Sequence, residues 1–220
     1  VSAESVERTE LPSGAVLVSQ TSPGSELMAV HLTVRNRAGL DQRHGRPGAL
    51  NLVHRLLDYG ISGCDENCLA RRLRRLGARV KWTDDPRFPM DDYYTNGRFS
   101  FVRVECPAEN GAEVLALLAE VAQFSTFTGD DLAREREEQL GLLERREGTA
   151  SWQARRLLAE GLYGDHPLSL PPEGTVETVS AVTYDELRSL YRKAFQPQNL
   201  VLGVVSPYSH AELKGMLPNL

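Results

Sequence analysis

The chain has little of what marks several protein classes. Three cysteines in 220 residues, an odd number, do not suggest a disulfide framework, and free thiols are the expectation for Cys64, Cys68 and Cys106. No apolar run approaches the roughly 18 residues of a membrane span. A net charge of −5 supplies no general attraction for nucleic acid. There is no Gly-x-Ser-x-Gly, no phosphate-cradling glycine loop, no repeat and no low-complexity tract. No signal peptide or Arg/Ser-rich leader is legible at Val1, which leaves the compartment open, with a bacterial cytoplasm or periplasm favoured over a mitochondrion.

What is present reads as an ordinary globular chain, 41% apolar and 25% charged, with enough length for a sizeable core. Two short β-rich runs around Pro12-Ser13-Gly14 predict a hairpin, and Leu27–Val34 alternates as a half-buried strand. His31 in that strand reads as a core or edge residue. The polar, Gly-rich stretch 35–48 reads as a loop, and a helix follows from Gly48 to about Gly60. Asp65 is placed as the N-cap of a second helix, 66–76, closed by Gly77, with Leu69, Leu73 and Leu76 inward and the arginines of 71–75 on a solvated face. Arg79–Thr83 reads as strand, 84–90 as loop and 93–106 as strand. Helices are expected over 112–124, from a cap at Asp130 or Asp131 to Glu147, over 152–162, and from the Thr183/Glu186 capping box to about Phe195. A strand over 200–205 and a short helix near Ser209 complete an α+β fold, one mixed, mostly antiparallel sheet covered by helices.

One helix carries the functional argument. In Asn51-Leu-Val-His54-Arg55, positions 51, 54 and 55 share a face. The stretch resembles the zinc helix of the M16 metallopeptidases (the pitrilysin, insulinase and mitochondrial processing peptidase family), whose signature is His-x-x-Glu-His. Laid on it, Asn51 and Arg55 take the two histidine positions and His54 that of the glutamate base. None matches, and a guanidinium in a ligand slot repels a dication. Further blocks resemble the family in order and at similar spacing: Leu11-Pro-Ser-Gly14, Leu162-Tyr-Gly-Asp-His-Pro-Leu168, Gly174–Val182 and Tyr191–Leu202. On the long helix, Glu135-Arg136 match the start of the family's third-ligand pattern, whose glutamate pair falls on Gly141-Leu142. Glu137, Glu138 and Glu144 are close enough for a register slip to restore one carboxylate.

The resemblance implies a fold: residues 1–220 as one M16-like half, with the second half expected outside this chain. It implies a non-catalytic homologue, with no catalytic residue and no zinc held at Asn51, His54, Arg55 and Leu142, which pairs with a catalytic M16 subunit or a second M16 half. An active zinc endopeptidase with other ligands, and a structural core-type subunit that binds no peptide, are the competing functions. The strand after the second helix, which pairs with extended substrate in the family, carries Lys81-Trp82 where the family keeps a small step. Trp82 either packs into the core or fills that edge. Cys64-x-x-x-Cys68, with Cys106 or His54, is a weak candidate for a different metal site, and Tyr163, Asp165 and His166 read as a polar turn rather than an acid–base cluster.

Overall fold

The computed structural model describes residues 6–43, 46–83 and 97–217. The elements are, in order, β1 (Val6–Glu10), β2 (Val16–Thr21), β3 (Leu27–Arg35), α1 (Arg37–Arg43), α2 (Ala49–Arg55), β4 (Gly60–Ile61), β5 (Cys64–Asp65), α3 (Glu66–Arg75), β6 (Arg79–Lys81) and β7 (Phe99–Pro107). After these come α4 (Gly111–Phe124), α5 (Gly129–Glu147), α6 (Ala150–Tyr163), α7 (Val176–Ser180), α8 (Tyr184–Ala194), β8 (Leu200–Ser206) and α9 (His210–Met216). The expected loop at 84–90 and the start of the strand expected over 93–106 lie outside the described residues, as does any partner for β6 there.

Six strands form one sheet in the order β1-β2-β8-β3-β7-β6. Only β2 and β8 run parallel; the other pairs are antiparallel. The mixed α+β architecture expected from the sequence is therefore present. β3 sits between β8 and β7, and its alternation decides the layers. Met28, Val30, Leu32 and Val34 are buried, whereas Ala29, His31 and Thr33 face the other side and are half-exposed. The buried face lies under helices that contribute Leu50 and Val53 from α2, Leu115 and Leu118 from α4, and Leu187 and Leu190 from α8. Each fully buried leucine contributes about 1.5–3 kcal/mol over an exposed one. Tyr191 locks this layer: its hydroxyl donates to Val121 O at 2.7 Å and accepts from Ser125 N at 2.9 Å.

Several boundaries differ from expectation for physical reasons. The stretch read as a loop contains α1, because Arg37 and Asp41 are buried and held by tertiary contacts that its polar composition hides. The Asp41 carboxylate accepts from Gly48 N and Leu50 N and so caps α2 from outside. α2 itself ends at Arg55 rather than near Gly60; Leu56 and Leu57 remain buried in the turns that follow. Its start requires glycine twice. Gly48 has φ +88° and a Cβ there would meet Glu173 O, while Gly174, φ +79°, faces Pro47 O. The 171–174 turn is thereby pressed onto the mouth of α2. Asp65 caps α3 as expected, accepting from Cys68 N at 2.8 Å. For α5 the cap is Thr128, not an aspartate, and Asp131 closes the capping box. The strand at 79–83 ends at Lys81, leaving Trp82 beyond it.

Candidate functional site

α2 and α5 meet in opposite senses, so that Asn51 faces Gln139 and Arg55 faces Glu135. Asn51 Nδ2 donates to Gln139 Oε1 at 3.2 Å, and its Oδ1 accepts from Arg37 Nη2 at 3.3 Å. Gln139 is buried and also donates to Glu173 O at 2.8 Å and Gly48 O at 3.3 Å. Arg37, also buried, donates to Pro172 O at 2.8 Å. Two amides and a guanidinium thus stitch α1, α2, α5 and the 171–174 turn together.

One turn further on, Arg55 Nε donates to Glu135 Oε2 at 2.8 Å and its Nη2 to Glu138 Oε2 at 2.9 Å. The other oxygen of Glu135 accepts from the Tyr59 hydroxyl at 2.6 Å. Arg134 lies over the Tyr59 ring and donates to its oxygen at 3.1 Å. Burial first, and the bond to Glu135 second, push the Tyr59 phenol up to about 12, so it stays a donor. The Arg55 and Glu135 side chains are only 11% and 13% exposed, and a partly buried pair with its remaining oxygen satisfied is shielded from solvent screening.

His54 is buried on the sheet side of α2. Its Nδ1 lies 3.0 Å from Trp82 O, a carbonyl that accepts only, so Nδ1 carries the proton. Nε2 then accepts from Ser100 Oγ at 2.8 Å. Burial, and next the positive charge of Arg37, lower its pKa to about 3. The imidazole is neutral, and both nitrogens are used in bracing the end of β6 against β7. The cavity beside it, lined by Arg37, Asn51, His54, Thr83 and Ser100 among others, is about 10 Å³, room for one water molecule.

These donors do not fit zinc. A catalytic zinc needs three protein ligands from neutral imidazole, thiolate or carboxylate and one open position. Here one slot is an amide, one is a cation neutralised by two glutamates, and the base position is a buried neutral histidine. Among the described residues no group of three or more His, Cys, Asp or Glu side chains is arranged to hold a metal. The α5 residue that reaches Asn51 is Gln139, one turn before Leu142, which is half-buried. Glu138, close to the counted ligand position, is bound by Arg55.

The other candidates fall elsewhere. Cys64 and Cys68 are joined by a disulfide, which corrects the expectation of free thiols and removes the weak metal reading; Cys106 alone is free, and it is buried on β7. His166 accepts from Leu168 N and caps a short turn on the surface. Of the clustered arginines, Arg71, Arg74 and Arg75 are exposed and Arg72 pairs with Glu120 at 2.6 Å. Trp82 packs against the hydrophobic core, the plainer of its two readings. Lys81 ends β6, whose only described partner is β7. Arg37, Tyr59, Ser100 and Gln139 were not singled out from sequence. Gln139 alone carried a signal there, lying on the α5 face shared by Glu135 and Leu142.

Comparison with known proteins bears on the fold. The chain is 22% identical to the zinc protease YmxG of Bacillus subtilis over 212 residues, 95% of this chain and 48% of that one. It is 19% identical to a Rickettsia bellii zinc protease over 96% of its length. It superposes on an M16 peptidase inactive domain from Pseudomonas fluorescens with a TM-score of 0.83 and 21% identity, covering 97% of this chain and 49% of that one. The periplasmic protease PqqL of Escherichia coli gives a TM-score of 0.76 at 18% identity, with 96% of this chain covered. No family model matches the chain. The fold is that of one half of an M16 peptidase. The chain spans about half the length of the relatives that it matches end to end. Among the described residues no helix is long and apolar enough to cross a membrane.

Proposed function

We propose that this chain is a non-catalytic M16 half that supports a catalytic zinc-peptidase partner, a second M16 half or a separate subunit, and holds no zinc of its own. The observation that carries the proposal is Arg55. Its guanidinium occupies the second ligand position and is satisfied there by Glu135 and Glu138, so the site is filled by protein charge. His54 strengthens the reading, since a general base must have a free lone pair facing substrate, and both of its nitrogens are bonded inward. The same site argues against an active endopeptidase with other ligands. The residues 1–220 act as one M16-like unit whose second half lies outside this chain, in keeping with relatives about twice as long.

The test is a peptidase assay on two samples. The chain alone, with and without added zinc, is expected to show no cleavage of unstructured peptides above background. In an assembly with its catalytic partner, His54→Ala is expected to leave turnover intact wherever assembly is intact. Zinc-dependent turnover by the isolated chain, or loss of turnover in a fully assembled His54→Ala complex, overturns the proposal.

A further inference from the structure

We propose that Cys64 and Cys68 form a reversible thiol–disulfide site, open to small thiols and disulfides, that fastens the first turn of α3 to the β4–β5 hairpin. The two Cα atoms are 5.2 Å apart, inside the range a disulfide spans without moving the backbone. Both residues are half-exposed, Cys64 resting partly against the hydrophobic core, and Asp65, Glu66 and Asn67 between them are exposed, so the short loop that carries the bond faces solvent. The bond closes a loop of only a few residues, the class for which a cross-link restricts the unfolded chain least. The same turn is already fixed by Asp65, whose carboxylate accepts from Cys68 N. The fold therefore has a cap at this corner whether or not the sulfurs are joined.

The two sulfurs are not equivalent. Cys68 is the third residue of the ten-residue helix α3, with its N–H bonded by the Asp65 carboxylate and Glu66 close by. Cys64 stands before the helix, in β5. An incoming thiolate attacks Cys64 Sγ, the S–S bond breaks, and its electron pair leaves on Cys68 Sγ as a thiolate. A second thiolate attacks the external sulfur of the mixed disulfide at Cys64 and releases Cys64 as thiolate together with a small-molecule disulfide. Both cysteine thiolates then take up protons. The pair gains two electrons and two protons, and two small thiols become one disulfide. Cys106 does not compete, being buried on β7 opposite Met28 with its thiol pushed up to about 11 by burial.

The corner matters to the rest of the fold. β4 is bonded to the end of α4 through Ser62 N to Phe124 O and Thr126 N to Gly60 O. α3 leads through the Gly77 turn into β6, the outermost of the described strands on that side of the sheet. Opening the bond removes one of two ties between the first turn of α3 and the anchored hairpin, the Asp65 cap being the other.

A thiol titration of the intact wild-type chain tests this. After air oxidation, intact mass and labelling in denaturant are expected to give one free thiol; after millimolar reduced glutathione, three; and oxidised glutathione is expected to restore one. Amide exchange at Cys68 and Leu69 is expected to quicken on reduction while α4 and β7 are unchanged. A bond that resists glutathione is structural rather than reversible and overturns the proposal. So do three free thiols that oxidised glutathione fails to close, or a reduced pair that retains a stoichiometric metal.

Discussion

The seam between α2 and α5 and the outer surface of α6 treat their side chains in opposite ways. In the seam, Asn51, His54, Arg55, Glu135 and Gln139 are polar or charged and each bonds within the chain. On α6 no residue is buried, and Leu158 and Leu162, one turn apart, are 60% and 67% exposed. The outer sheet face adds exposed Val6 and Val205 around a shallow concavity of about 350 Å³. Where the relatives' chemistry would sit, this chain is self-sufficient; at its surface it leaves apolar groups uncovered, which soluble monomers seldom do over large patches. The proposed supporting role rests on that contrast.

The sharpest way to probe the seam is pH. The pKa of His54 is lowered from 6.5 to about 3 on folding, so the unfolded chain takes up the proton first. Its contribution to stability is complete above pH 6.5 and is lost as pH falls towards 3. Asp41 and Asp58, both raised to about 6 chiefly by burial, act in the opposite sense, their contribution being lost as pH rises through 6. Comparing wild type with His54→Gln isolates the histidine. Urea unfolding is expected to show the wild-type advantage shrinking by about 3 kcal/mol between pH 7 and pH 4. A pH-independent difference breaks this account of His54.

Next in size is the cross-helix pair. Arg55→Ala strands Glu135 in a partly buried site, and denaturant unfolding is expected to show a loss of about 2–3 kcal/mol. Glu135→Ala costs a similar amount, and the double variant much less than the sum, because the two residues act as a unit. Additive losses mean that the pair is a surface contact of little weight.

How far the seam could be read beforehand depends on sequence distance. Asn51, His54 and Arg55 lie within five residues, so their departure from a zinc motif is visible in the sequence alone. Their partners Glu135, Glu138 and Gln139 come from about 80 residues away, and only tertiary packing selects Gln139 over Leu142. The sheet was legible because alternation in β3 and β8 is a local signal. α1 was not, because its helix is held by Arg37 and Asp41 reaching other elements. The Cys64–Cys68 bond was hidden by an odd cysteine count, in which Cys106 is the unpaired member.

On the surface side, Leu158→Lys with Leu162→Lys removes apolar area that touches no core. Stability is expected to change by less than about 0.5 kcal/mol, while sedimentation velocity shows weaker self-association than wild type. A strictly monomeric wild type at high concentration breaks the comparison from this side.

Elemental analysis of the purified chain after exhaustive dialysis tests the central claim most directly. With Arg55 held by Glu135 and Glu138 in a ligand slot, the account predicts zinc far below one atom per chain, also after incubation with excess zinc and re-dialysis. One tightly held zinc per chain, lost on substitution of Glu135 or Glu138, contradicts it.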